Sequence, residues 1–323
     1  MSPRAAGERT VVPPFADLPV LPGLDIRHAW DVFGRDDDLG TLNHLDDEAV
    51  LAAMGSVLTG ERVGLTLTLT EIDPPLYGRE SLRHSMLQMD RNTWDDRLDA
   101  FYPQASSQWD GLRHVRCREL GFYGGVLESP PEQGARLGID HWAERGIVGR
   151  GVLLDIDRYL RETGVDYDAM SEVSIGADLL RSVAAAQKVE IRRGDVLCLR
   201  FGWTARYRSL DHAARRAYAA IPGTPPYAGL AADAGSAAVL WDWHVAAIAC
   251  DNPAAEVSPG DPAVGSLHRR VQPALGLVVG ELFDLELLAS RCAADQRWTF
   301  LFVAVPLNLP GGVGSPANAV AIR

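Results

Sequence analysis

The sequence has little lysine and no long apolar run, and both shortages limit its function. Lys188 is its only lysine, the arginines are scattered, and the net charge is −12, so no basic face could neutralise nucleic-acid phosphates. The apolar stretches at 245–250 and 300–309 are too short to span a bilayer. The N-terminus lacks the apolar segment of a secretory signal. We therefore expect a cytoplasmic protein without nucleic-acid or membrane partners.

Cysteine is also scarce. Cys117, Cys198, Cys250 and Cys292 are far apart in the sequence, with no C-x-x-C spacing. Neither a disulfide framework nor a zinc knuckle fits this pattern. We expect four reduced thiols in the core.

Several common catalytic motifs are missing. The chain has no G-x-S-x-G elbow, no H-E-x-x-H pair and no P-loop. The glycine cluster at 311–315 leads into Pro316 instead of opening a helix, so it is not a phosphate cradle. It predicts either a tight turn or a loop that faces the substrate.

The composition is nevertheless that of a folded enzyme-sized chain, since 47% of its residues are hydrophobic. Residues 1–25 are rich in proline and predict an extended arm, and residues 26–323 predict one mixed α/β domain without a linker. Asp46 is expected to cap a helix, and the alternation over 62–70 makes this the clearest predicted strand. Further strands are predicted at 152–156, 196–201, 245–250 and 298–305, and helices at 177–189 and 264–275.

One of the eight histidines is distinguished by its spacing. His114 follows Asp110 by four residues, which would place both side chains on one face of a helix. Gly111 and the polar run before it favour a loop or short strand equally well. The spacing alone indicates a catalytic pair only weakly.

The surrounding segment resembles the motif His-x-Gly-Thr-His-x-Asp-x-Pro-x-His of the cyclase family of metal-dependent hydrolases, which includes bacterial kynurenine formamidase and isatin hydrolase. Asp110 takes the place of the motif's Asp, and His114 takes the place of its last His. Gln104 and Gln108 stand where the first two histidines belong, so this chain departs from the motif at both positions.

Other segments resemble the same family, in the same order, over residues 30 to 323. They are 33–43, 149–155, 194–197, the Asp251-Asn252-Pro253 turn, His268, 280–286 and 314–316. The resemblance implies an α/β domain with the family's swivelling β/β/α architecture, assembled as a homo-oligomer.

The resemblance also implies how the site is built. In two-metal members the first two histidines and the Asp hold one metal, and the Asp, a downstream His and a Glu hold the second. Amide oxygens replace imidazoles poorly, so the first site is expected to be empty. Asp110, His268 and Glu281 would hold one divalent ion, zinc or manganese; otherwise they would form a metal-free acid–base cluster. His114 would be the general acid/base, with Asp110 holding its pKa near neutrality.

These expectations predict a hydrolase of a C–N bond in a small amide, lactam or formamide. The alternative is a metal-free ring cyclase or dehydratase acting on a polyketide-like or aromatic secondary metabolite, and a third possibility is a binding protein without activity. Candidate substrate-binding residues beside the motif are Gln104, Gln108, Ser107, Trp109 and Tyr123. Trp94 and Phe122 are further candidates for an aromatic pocket, and core packing is an equal alternative for all the aromatic residues.

Overall fold

The computed structural model describes residues 10–128 and 136–323. The helices are α1 Asp47–Ala53, α2 Asp140–Arg145, α3 Ile156–Glu162, α4 Ala177–Ala186, α5 Trp203–Arg208, α6 His212–Ala219, α7 Ala234–Asp242, α8 Leu267–Leu275 and α9 Glu286–Asp295. Short 3-10 helices lie at Phe15–Asp17, Gly40–His44, Met54–Ser56, Pro103–Ala105, Arg118–Leu120 and Tyr123–Gly125.

The strands are β1 Arg62–Gly64, β2 Arg83–Gln88, β3 Trp94–Asp99, β4 Gln108–Asp110, β5 Ile147–Asp155, β6 Ser174–Ile175, β7 Val196–Arg200, β8 Gly229–Leu230, β9 Ala247–Cys250, β10 Val278–Glu281, β11 Thr299–Ala304, β12 Gly314–Pro316 and β13 Ala319–Ile322. Nine of them form one curled mixed sheet in the order β1-β13-β11-β5-β7-β9-β10-β4-β12. The central strands β5, β7, β9 and β10 are parallel, and antiparallel strands flank them on both sides. This confirms the single mixed α/β fold.

Alternation along the central strands gives the sheet two buried faces. In β5, Val152 and Leu154 belong to a core that the helices α3, α4, α7 and α8 complete. Leu153 between them belongs to the opposite core, which contains Phe300, Trp109 and part of α9. A parallel strand that is buried on both faces needs a nearly continuous apolar sequence. This is why the short apolar runs predicted these strands well.

Two predictions for the N-terminal part need correction. Residues 10–25 have no long element, but they are not a free arm, because Leu18 and Leu21 are buried. The predicted strand at 62–70 is a strand only over Arg62–Gly64, followed by an isolated bridge between Thr66 and Phe283. Beyond it the backbone partner changes: the N–H of Leu67 donates to the Ser107 side chain instead of to a strand. The predicted alternation of side chains was right, and the predicted length of the strand was wrong.

Other elements follow the predictions closely. The Asp46 carboxylate accepts from the N–H of Ala49 and caps α1. The four cysteines are free and buried. No helix in the described ranges is long and apolar enough to cross a membrane. The homo-oligomer stays a prediction.

Candidate active site

Two paired strands place the first acidic groups of the site. In the antiparallel register of β10 and β4, Glu281 stands opposite Gln108 and Val279 opposite Asp110. Because side chains alternate along a strand, Gln108 and Asp110 point to the same face, and Glu281 joins them across the ladder. The Nε2 of Gln108 donates to Oε2 of Glu281 at 2.5 Å. The Asp110–His114 spacing is therefore that of a strand end and a turn, not of a helix.

The third group comes from the first turn of α8. His268 Nε2 lies 2.9 Å from Glu281 Oε1, and its Nδ1 lies 2.7 Å from Glu256 Oε1. Glu256 also accepts from the N–H of Leu267 and from the Ser266 hydroxyl, so it fixes both the start of the helix and the ring. Burial lowers the pKa of His268, but the hydrogen bonds with Glu256 and Glu281 outweigh burial and raise the pKa well above its ordinary value.

Asp110, His268 and Glu281 offer ligand atoms that all lie within 4.8 Å of one another. Burial, followed by the charge of Glu281, raises the pKa of Asp110 well above its ordinary value. Among the described residues, Asp110 Oδ1 has no hydrogen-bond partner. Two buried carboxylates and one imidazole form a donor set suited to a divalent cation, which would remove the repulsion between the acids. These residues therefore fit a metal.

His114 lies at the edge of this group, with Nε2 3.7 Å from Asp110 Oδ1. Burial, opposed by the charge of Glu281, lowers the pKa of His114 to about 4. The expectation of a pKa near neutrality is thus wrong, because desolvation of the imidazolium outweighs the nearby acids. The ring is neutral across the physiological range and can accept a proton there.

The site opens into a cleft of about 270 Å³. Its lining residues are Tyr77, Arg79, Gln108, Asp110, His114, Val115, Pro253, Ala254, Glu256, Ser266, His268 and Glu281. A second cavity of about 220 Å³ adjoins it, since both share Tyr77, Glu256 and His268. A small organic molecule could occupy this space with its reacting group at the Asp–His–Glu cluster.

Four predicted substrate-binding residues do not line the cleft. Trp109 points to the opposite face of β4, packs against Phe283 and Phe302, and donates from Nε1 to the Ala317 carbonyl. The alternation that brings Gln108 and Asp110 to the cleft turns Trp109 away from it. The Ser107 hydroxyl donates to the Leu282 carbonyl and accepts from a backbone N–H, so both of its roles are taken.

The other two pack against glycines. Gln104 packs against Gly314, where its side chain fills the space of a Cβ. Tyr123 is buried against Gly276 in the opposite core. Phe122 is buried in that core as well, and Trp94 is 60% exposed on β3. Core packing was the right alternative for Trp109, Phe122 and Tyr123.

Tyr77, Arg79 and Glu256 line the site but were missed by the sequence analysis. Tyr77 and Arg79 lie in an irregular segment between β1 and β2, and Glu256 follows the Asp251-Asn252-Pro253 turn. None of them belongs to a periodic pattern or to the motif. The nearness of Glu256 to that turn was the one available signal.

The comparisons with known proteins agree with this geometry. The family model described as "Putative cyclase" matches residues 63–257, which is more than half of the chain. That range contains Asp110, His114 and Glu256. Among curated proteins, none matches this chain significantly.

Solved structures share the fold. A crystal structure described as a novel cyclase is 29% identical, with a TM-score of 0.80, and covers 92% of this chain and 99% of its own. Isatin hydrolase A from Labrenzia aggregata is 16% identical with a TM-score of 0.58, covering 83% of this chain and 94% of its own. The enzyme of the same name from Ralstonia solanacearum is 16% identical with a TM-score of 0.59, covering 85% and 94%.

Proposed function

The chain belongs to the cyclase family, and we propose that it hydrolyses a C–N bond in a small amide, lactam or formamide. One divalent ion, zinc or manganese, would be held by Asp110, His268 and Glu281. The fold shared with two isatin hydrolases supports a hydrolytic reaction.

The observation that carries the proposal is the convergence of Asp110, His268 and Glu281 beside His114. Ligand atoms within 4.8 Å of one another can reach a common ion, given metal–ligand bonds of about 2.0–2.2 Å. Glu256 accepts from Nδ1 of His268 and so turns the other ring nitrogen towards Glu281. Such a carboxylate behind a histidine fixes the tautomer that a metal ligand needs.

The remaining residues handle protons and position. A bound metal would supply Lewis-acid polarisation of the carbonyl group and would acidify a water molecule. His114, neutral at physiological pH, takes a proton from the attacking water through Nε2. As the C–N bond breaks, His114 returns that proton to the leaving nitrogen. Gln108 holds Glu281 in place from the opposite strand.

One observation favours the metal-free alternative. His268 bridges Glu256 and Glu281 through both ring nitrogens, which is a complete hydrogen-bonded cluster without any ion. Such a cluster, together with His114, could abstract and return protons in ring closure or dehydration. The two reactions differ in their products, because hydrolysis adds a water and ring closure by dehydration loses one.

Mass spectrometry of reaction products separates the two functions. The purified protein is incubated with a formamide, a lactam and an open-chain amide, before and after removal of metal with a chelator. With metal present only, we expect either a ring-opened lactam that is heavier than its substrate by one water, or an acid and an amine from the formamide or the open-chain amide whose masses together equal the substrate plus one water. Water-adding activity that survives complete metal removal would contradict the metal-dependent mechanism. Failure on all three, with loss of water from an aromatic precursor instead, would support the alternative.

A further inference from the structure

The cleft contains a guanidinium, that of Arg79, which forms no ion pair among the described residues. Arg79 lines this cleft, and no described carboxylate lies close enough to form an ion pair with it. Its neighbour in sequence, Glu80, pairs instead with Arg83 at 3.4 Å. No acid in the described part of the chain therefore engages the five N–H donors of Arg79.

Two partly buried arginines, Arg200 and Arg150, behave differently. Arg200 contacts Asp155 at 2.7 Å and Glu286 at 2.9 Å, and Arg150 contacts Asp195 at 2.7 Å. These are the direct pairs expected where an arginine only balances buried acids. Arg79 lines the cleft together with three acids, and its charge acts on Asp110, but it forms no such direct pair with a described acid.

The local backbone holds Arg79 towards the cleft. Tyr77 and Gly78 both have positive φ, 61° and 72°, and this turn sets the direction of the residues after it. The Arg79 guanidinium lies over the Tyr77 ring at 5.2 Å from its centroid. The Tyr77 hydroxyl in turn lies 2.7 Å from that of Tyr227. A tyrosine with positive φ is in an uncommon backbone conformation, which a fold keeps where the surroundings or function require it.

We propose that Arg79 is the anchor for a carboxylate on the substrate, so that the substrate class is a small anionic amide, lactam or formamide. A guanidinium fork binds a carboxylate through two parallel hydrogen bonds, which gives orientation as well as affinity. The carboxylate would lie at Arg79 and the scissile group at Asp110 and His114, since all three residues line one cleft. This inference rests on the proposed function for the reaction, but its binding step does not require turnover.

Equilibrium binding of an isosteric pair tests it: phenylacetate, which is anionic, and phenylacetamide, which is neutral. Both compounds are titrated by calorimetry into the metal-free protein at low ionic strength. Without a metal in the site, neither compound can bind by coordinating one. We expect phenylacetate to bind about 10-fold or more tightly than phenylacetamide, in line with a charge-assisted hydrogen bond. Arg79→Gln should abolish the preference, and Arg79→Lys should keep part of it because the charge remains without the fork.

Arg83→Gln is the matched control, since Arg83 is exposed and lies outside the cleft lining, and it should keep the full preference. The proposal is overturned if the wild type shows no preference, including the case in which neither compound binds. It is also overturned if Arg79→Gln keeps the preference. If the protein neither binds metal nor hydrolyses amides but still binds phenylacetate more tightly than phenylacetamide, the proposed function is refuted. This inference would still stand.

Discussion

Glu256 holds Nδ1 of His268 at 2.7 Å, while the other nitrogen of the same ring faces the acids of the site. The two residues lie on different elements, His268 on α8 and Glu256 in the loop before it. The ring cannot turn without breaking this bond. Glu256 is therefore a positioning residue for His268.

Replacing Glu256 with Gln should weaken zinc binding by about 10- to 100-fold, the usual effect of losing such a partner. The amide keeps the shape but loses the charge that raises the basicity of the imidazole. Zinc titration by calorimetry measures the change, with Glu172→Gln as the control, since Glu172 is exposed. Equal affinities in the two variants would show that Glu256 only caps the helix.

His114→Ala should lower kcat by about 10²–10⁴-fold, as expected for a positioned acid/base, without changing the thermal midpoint by more than a few degrees. His212→Ala, on an exposed residue, is the control. Because the pKa of His114 is lowered to about 4, the wild-type activity should stay level from neutral pH down to about pH 5. Retention of more than about a tenth of the turnover in the Ala variant would make His114 structural.

The sequence predicted the cluster at the centre of this site better than the lining of the cleft. Asp110 was identified from the motif, and His268 and Glu281 from the downstream segments that resemble the family; the structure brings the three together. The strands β5, β7, β9 and β11 were predicted because buried strands need apolar runs. Of the two glutamines expected at the site, Gln108 lines the cleft and Gln104 does not. The motif did not show that Trp109, the residue after Gln108, faces the other core. The sequence left open whether the segment at Asp110 is a helix or a strand, and the direction of Trp109 depends on this.

Arg79, Tyr77 and Glu256 could not be predicted because their positions depend on tertiary structure. They come from irregular segments that no periodicity describes, and the sheet brings these segments together only after folding. The predicted strand at 62–70 failed for a related reason. A side chain, that of Ser107, replaces the strand partner at Leu67, and local alternation carries no information on this.

The close packing of Trp109 gives a stability prediction. A Cβ at Gly280 would lie 2.8 Å from the Trp109 ring and 2.6 Å from that of Phe283. Gly280→Ala should therefore destabilise the fold by about 1–3 kcal/mol, the usual cost of overpacking. Gly55→Ala is the control, because nothing lies within 4 Å of its Cβ position. Equal unfolding midpoints in urea for both variants would contradict this packing.

His44 gives a pH prediction away from the site. Burial, aided by the charges of Arg193 and His244, lowers the pKa of His44 to about 3. Above pH 6.5 the ring is neutral in both states and its full contribution is present. Below that pH the unfolded chain takes up a proton that the folded chain does not, so the free energy of unfolding falls as the pH falls towards 3.

Between pH 7 and pH 5 this loss should be about 2 kcal/mol in the wild type. Urea unfolding of wild type and His44→Gln at both pH values measures the free energy of unfolding. Between pH 7 and pH 5 this free energy should fall by about 2 kcal/mol less in the variant than in the wild type. His84→Gln, at an exposed position, should behave like the wild type. Parallel losses in wild type and His44→Gln would show that His44 can be protonated in the folded chain.

The central claim is that Asp110, His268 and Glu281 hold one divalent metal. Elemental analysis of protein purified without a metal-carrying tag, with and without added zinc or manganese, tests it most directly in wild type and Asp110→Ala. The account predicts about one equivalent of metal per chain in the wild type and almost none in the variant, with both folded by circular dichroism. A wild type that takes up no metal even when it is supplied, or a variant that retains a full equivalent, would contradict it.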